Sequence, residues 1–149
     1  MDKALQIIER LVGSAPPLVS FETVKPARAL DLFKSLSLSH ESPFYQWSVE
    51  DGLHRMGASH IVIPRTRQPE NLLDYINTLQ HSGIFLLPGF SELLSNTSLL
   101  SQFKQILASA KNQEKSIILI DAEVHLPEIL QPFTQRVRFG AQGQNRKAG

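Results

Sequence analysis

The chain contains no cysteine, which excludes disulfides, thiolate nucleophiles and cysteine-bound zinc, and leaves its redox compartment unmarked. It has no long apolar run either. Ile84-Phe85-Leu86-Leu87 and Ile117-Ile118-Leu119-Ile120 fall far short of the ~20 residues of a membrane helix. Met1-Asp2-Lys3 leads into an amphipathic pattern and not into a signal-peptide core, so the expectation is a soluble, cytoplasmic protein with no membrane partner. An excess of one charge is missing as well: 15 Lys and Arg stand against 14 Asp and Glu, for a net charge of +1. That balance gives no electrostatic footprint for nucleic acid, although the C-terminal end is locally basic. Finally, neither G-x-x-x-x-G-K-[ST] nor G-x-G-x-x-G occurs anywhere, so the chain has no glycine-rich loop with which to cradle phosphates.

What is present is a sizeable apolar content, 42% of 149 residues, with 19% charged, enough for one globular domain with its own core. The run Ile84–Leu87 is introduced by Ser82-Gly83 and closed by Pro88-Gly89. A short apolar run between breakers predicts a strand buried on both faces, central in a parallel sheet. Ile117–Ile120 repeats the pattern after one amphipathic stretch, which predicts a strand-helix-strand unit with a right-handed crossover.

Around this pair the remaining elements follow from spacing. Leu5, Ile8 and Leu11-Val12 predict an opening helix stopped at Gly13 and Pro16-Pro17. Leu18–Phe21 predicts a first strand, and Pro26 opens a helix reaching about Ser37 with Ala29, Leu30, Leu32, Phe33 and Leu36 on one face. Phe44–Val49 predicts an aromatic second strand ending at Glu50-Asp51-Gly52. His60–Ile63 fits either a short strand or a lead into the helix that starts at Pro69, carries Leu72-Leu73, Ile76 and Leu79, and closes at Gly83 as a C-cap. Thr97 is the expected cap of a helix bearing Leu99-Leu100, Phe103, Ile106-Leu107 and Ala110, with Lys111 and Lys115 against its C-terminal dipole. Leu126–Leu130 predicts a short helix entered through proline, and Arg136–Phe139 an edge strand. The expected organisation is one α/β domain over residues 1–139, a three-layer sandwich with a mostly parallel sheet, and a flexible basic, Gly/Gln-rich tail over 140–149.

Sheets of this kind bind ligands beyond the carboxyl ends of their strands, where this chain places Glu22-Thr23, Asp51, Pro88-Gly89 and Asp121. The turn Glu22-Thr23-Val24-Lys25-Pro26 has no glycine, and its glutamate repels phosphate. Pro88 and Gly89 occupy the end of the central strand, where an acidic pair would hold Mg²⁺. Nucleotide hydrolysis by the chain alone is therefore not expected, and neither a cofactor nor a metal is called for. Glu22, Thr23 and Asp51 are the candidates for a bound ligand, with helix capping as the plainer role for Thr23 and Asp51. Asp51 with His54, and Glu123 with His125, each offer two ligands or an acid-base pair without a third partner. His40, His60 and His81 are scattered. Ser20 and Ser48 lack the G-x-S-x-G context of a nucleophile. Tyr45 and Trp47 share one side of the second strand; exposed, they and Phe90 with Leu93-Leu94 would mark a protein contact, and buried they pack beneath the helices.

Phe21-Glu22-Thr23 with Arg28, Trp47-Ser48-Val49-Glu50-Asp51-Gly52-Leu53, the apolar strand with Phe90 just beyond it, and Leu126-Pro127-Glu128-Ile129-Leu130 occur in one order. In that order and spacing, from about Met1 to Phe139, the chain resembles the degenerate N-terminal ATPase-like domain of the cyanobacterial and plastid-type AAA ATPases. The resemblance implies an inactive, P-loop-like α/β fold without its own phosphate loop, working beside an AAA engine through protein contacts, with an AAA ATPase or a second copy as partner. The chain departs from that family at Pro88-Gly89-Phe90-Ser91, where a basic residue, Asp, Phe and His are typical, and these residues include no catalytic domain, so any ATP turnover is expected from a missing or separate chain. The alternative is a regulatory module that binds a nucleotide or anion near Glu22, Thr23 and Asp51 without hydrolysing it.

Overall fold

The computed structural model describes residues 3–139, apart from the side chains of Ser59 and His60; the tail expected over 140–149 lies outside the described residues. The chain runs α1 (Lys3–Ser14), β1 (Leu18–Glu22), α2 (Pro26–Ser37), β2 (Phe44–Ser48), β3 (Gly52–Arg55), β4 (Ala58–Val62), α3 (Pro69–Thr78), β5 (Gly83–Pro88), α4 (Thr97–Ala110), β6 (Lys115–Asp121) and β7 (Thr134–Arg138). Two 3₁₀ turns, Ser91–Ser95 and Glu128–Phe133, follow β5 and precede β7.

The strands form one sheet in the order β4-β3-β2-β5-β6-β1-β7. β2, β5, β6, β1 and β7 are parallel, and β3 and β4 extend the sheet antiparallel beyond β2. Numbered in chain order, the five parallel strands lie 5-1-4-3-2, consistent with a P-loop-like fold. β5 is the middle strand of seven, and its register sets Phe85 beside Ile117 and Leu87 beside Leu119. Odd and even residues of these runs point to opposite faces, and the two faces carry separate cores. α3 and α4 cover one with Leu72, Ile76, Phe103 and Leu107 against Phe85, Leu87, Ile117 and Leu119. α1 and α2 cover the other with Ile8, Leu11, Ala29 and Phe33 against Ile84, Leu86, Ile118 and Ile120.

Several boundaries depart from the spacing argument, each for a local reason. α1 runs through Gly13 to Ser14, and the left-handed residue that ends it is Ala15, at φ 47°. α3 stops at Thr78, five residues before Gly83, which is the first residue of β5. Asn96, not Thr97, caps α4: its Oδ1 accepts the Leu99 N–H at 3.1 Å. Lys115 is not a solvated charge on the end of α4. It lies in β6, 1% exposed, and its Nζ donates to the carbonyl of Ile76 at 2.7 Å, satisfying a last-turn acceptor of α3. Burial pushes the Lys115 ammonium below its ordinary value.

The largest correction concerns Gly52–Arg55, expected to follow Asp51 as a capped helical turn. It is a strand, paired antiparallel with β2 through Trp47↔Leu53 and Gln46↔His54. Thr66 holds this hairpin to the loop before α3. Its Oγ1 accepts the Leu53 N–H at 2.7 Å and donates to the Ile63 carbonyl at 2.6 Å, while the Thr66 carbonyl accepts Trp47 Nε1–H at 2.6 Å. Gly52 adopts φ +81°, and a Cβ there would stand 2.8 Å from Thr66 Oγ1, so only glycine lets the hairpin approach this loop.

Replacing Thr66 by Val keeps the shape and strips both bonds of the hydroxyl, leaving the Leu53 N–H and the Ile63 carbonyl unpaired at a buried position. The expected loss is about 1–3 kcal/mol, read as a lower urea midpoint at unchanged slope, with Thr66→Ser close to the parent chain.

Candidate functional site

Where two adjacent parallel strands send their chains to opposite faces, a crevice opens beyond their carboxyl ends. Here that happens between β1 and β6. β1 leads into α2, whose Ala29 and Phe33 lie in one core. β6 leads toward Val124 and Leu130, which lie in the other. Glu22, Thr23 and Asp121 end these two strands, with Glu22 opposite Asp121 in register.

The crevice is closed by the chain's own hydrogen bonds. Glu22 Oε2 accepts the Val124 N–H at 2.9 Å, its Oε1 accepts Arg138 Nε–H at 3.1 Å, and its backbone carbonyl accepts the Phe139 N–H at 2.8 Å. The Glu22 side chain is only 17% exposed while that of Arg138 is 81% exposed. Glu22 is therefore the buried anchor, and Arg138 covers it from the solvent side. The loop from β1 to α2 is just Thr23-Val24-Lys25. The Thr23 N–H donates to the Asp121 carbonyl at 2.9 Å and the Lys25 N–H to Thr23 Oγ1 at 3.0 Å, and Pro26 at the first turn of α2 has no N–H to offer. Thr23 thus makes a turn with Lys25 beneath the surface, 3% exposed. A phosphate cradle needs successive free N–H groups at a helix start, and this loop has already used those of Thr23 and Lys25.

Beside it, Ser91 Oγ donates to Asp121 Oδ2 at 3.3 Å. Burial raises the Asp121 carboxyl above the usual range, and Glu92 adds to the shift by repulsion, while the bonds from Ser91 and the Ala122 N–H oppose it. A cleft of about 400 Å³ opens over this edge, lined by Glu22, Thr23, His125, Arg136 and Arg138 among others. Glu123 and His125, paired at 3.3 Å, are largely exposed at its rim. Among the described residues no three His, Asp or Glu side chains converge to hold a metal ion.

Of the residues singled out in the sequence, the structure brings Glu22 and Thr23 together and leaves Asp51 apart. Asp51 is exposed in the turn between β2 and β3, its N–H donating to Ser48 Oγ at 3.1 Å. β2 lies three strand spacings from β1, roughly 14 Å at ~4.8 Å each, so one small ligand does not reach both Asp51 and Glu22. The possible contact aromatics are interior. Tyr45 stacks on Phe85 with centroids 5.2 Å apart, Trp47 meets Phe90 edge-on at 5.4 Å, and Phe90 lies 6.3 Å from Phe103. All three are 5% exposed or less, which corrects the reading of them as a surface for a partner. Nothing in the local sequence marks Arg136, Arg138 and Ser91 as residues of this edge, where the fold places them. The alternation of Arg136–Phe139 announces an edge strand, but only its pairing beside β1 brings Arg138 to Glu22.

Because the folded chain holds a proton on Asp121 more tightly than the unfolded one, ionising it costs stability as pH rises through the unfolded value of about 3.9 toward the raised folded value. Asp121→Asn is therefore expected to equal or exceed the parent in stability at neutral pH. That advantage should vanish below the unfolded value; urea midpoints on either side of the window check it.

Two comparisons bear on this geometry. The family model described as "SpoVK-like AAA ATPase, N-terminal domain" matches residues 4–139. The chain is also similar to the "Uncharacterized AAA domain-containing protein ycf46" of Pyropia yezoensis, 26% identical over 125 residues, which are 82% of this chain and 25% of that protein. It thus spans about a quarter of the length of that curated relative. With the 5-1-4-3-2 parallel order beneath it, the match over nearly all the described residues places the chain in the family of SpoVK-like AAA ATPase N-terminal domains.

Proposed function

We propose that the chain is a non-catalytic α/β domain that acts by protein contacts, in assembly or recruitment, beside an AAA engine. The observation that carries this is the β1–α2 loop. Where a P-loop-like fold would offer phosphate a run of free N–H groups, this chain has three residues, two of whose N–H groups are engaged, and a carboxylate anchored between Val124 and Arg138. A nucleotide hydrolase needs positioned cations and a phosphate cradle at that point. The partner on this reading is an AAA ATPase module or a second copy of the chain. A cytoplasmic location suits such a role, and among the described residues no helix is long and apolar enough to cross a membrane. The second reading, a module that binds nucleotide without hydrolysis, has the cleft beside Arg136 and Arg138 in its favour. Against it, Arg138 is already paired with Glu22.

The test is a thermal-shift titration of the purified chain with ATP, ADP and GTP, each with and without Mg²⁺, into the millimolar range. A ligand at 100 times its Kd stabilises a fold by about 2.7 kcal/mol, and each kcal/mol moves Tm by roughly 2–4 °C in a domain of this size. No saturable shift and no phosphate release are expected. A shift that grows and saturates would establish the second reading, and magnesium-dependent turnover would overturn both.

A further inference from the structure

α1 turns Ile8, Leu11 and Val12 into the core beneath it. Along its outer side Lys3, Ile7, Arg10 and Ser14 recur at i, i+4, i+7 and i+11, which sets them in one exposed stripe. Among the described residues Ile7, 46% exposed, is the only exposed large apolar side chain that an α-helix carries. A cation stands one turn away on each side of it. Neither Lys3 nor Arg10 has an ion-pair partner among the described residues.

The complementary surface is a cleft of about 580 Å³ at the carboxyl ends of β2 and β5. Four segments wall it: Leu30 of α2, Val49 of the turn between β2 and β3, Pro88 at the end of β5 and Leu93 of the first 3₁₀ turn. Val49 is 64% exposed, and Leu30 and Leu93 are half-buried at the margins of the two separate cores. The charged lining residues are both acidic, Glu50 and Glu92. Glu92 repels Asp121 and has no ion-pair partner among the described residues. An open apolar cleft with carboxylates at its rim matches a helix that carries an apolar anchor between cations. Opposite charges on the two surfaces fix the register of such a contact.

We propose that this cleft receives α1 of a second copy of the chain: Ile7 enters between Leu30, Val49 and Leu93, and Lys3 and Arg10 pair with Glu50 and Glu92. One helix in one cleft buries too little for a stable pair, which needs roughly 1,200–2,000 Å² in all. α2 supplies a wall of the cleft and shares a core with α1, so helix and cleft lie on one side of the sheet. A two-fold axis on that side makes the exchange reciprocal, which doubles the contact and closes the assembly as a dimer. The inference rests on the protein-contact reading, with a second copy as the partner, and its cleft shares no lining residue with the one beside Arg136 and Arg138.

The test is sedimentation equilibrium of the chain from micromolar to millimolar concentration, at low and high salt, with circular dichroism to verify that each variant is folded. A reversible monomer–dimer equilibrium that salt weakens is expected. Ile7→Gln, the pair Lys3→Glu with Arg10→Glu, and the pair Glu50→Lys with Glu92→Lys all alter exposed residues, and each variant should raise the dimer Kd about tenfold or more. Mixing the two charge-reversed variants in equal amounts restores the dimer, because each helix again meets a cleft of opposite charge. A folding defect cannot produce that restoration. A chain that stays monomeric throughout, growth into open polymers, variants that dimerise like the parent, or a mixture that stays monomeric would each overturn the proposal. A monomeric chain leaves the protein-contact reading with an AAA module as its partner, whereas magnesium-dependent ATP turnover removes that reading whatever the association state.

Discussion

Ile84–Leu87 and Ile117–Ile120 lie side by side in parallel register with no face open to water, and that pairing sets the conditions for everything around it. A strand buried on both sides needs a strand along each edge for its backbone and a helical layer over each face for its side chains. β2 and β1 supply the edges, and two helix pairs supply the layers. The connections then leave β1 and β6 toward opposite layers, and a crevice at their carboxyl ends follows from the covering of the core.

In this chain the crevice is used for cohesion. Glu22 ties the end of β1 to the chain leaving β6 and to β7, so one carboxylate joins three segments that are far apart in sequence. The same acidic group that disfavours phosphate there contributes to holding the sheet edge together. A P-loop-like topology does not by itself assign nucleotide chemistry, because the residues of the site and not the fold carry the function.

Much of this was legible in the residues. Unbroken apolar runs between breakers announced β5 and β6, and helical spacing located the four α-helices of the described residues, because a buried face leaves a period in the sequence. β3 was not legible. Only Leu53 marks it as apolar, and its strand conformation depends on pairing across the hairpin with Trp47 and on Thr66 in the loop before α3. Nor was the role of Lys115, whose burial is decided by where α3 ends. The site was half visible: Glu22 and Thr23 stand next to a strand end, but their partners Asp121, Arg138 and Ser91 arrive by topology, and Asp51 is carried out of reach by the two strands between β1 and β2. The aromatic residues of β2 look the same in a sequence whether they face a partner or a core; the helix α4 and Phe90 settle the matter in the folded chain.

The placement of β1 also has a consequence for synthesis. Its two neighbours are the last two strands among the described residues: Leu18 pairs with Ile117 on one side and Thr134 on the other. Contacts so distant in sequence slow folding, because the loop must close before they form. At the ~5–20 residues per second of translation, the apolar segment Leu18–Phe21 waits on the order of 5–20 s on the ribosome without either partner. During that interval its free edges are open to other chains, so α1 and α2, the segments made on either side of it, are the shelter available to it until β6 emerges.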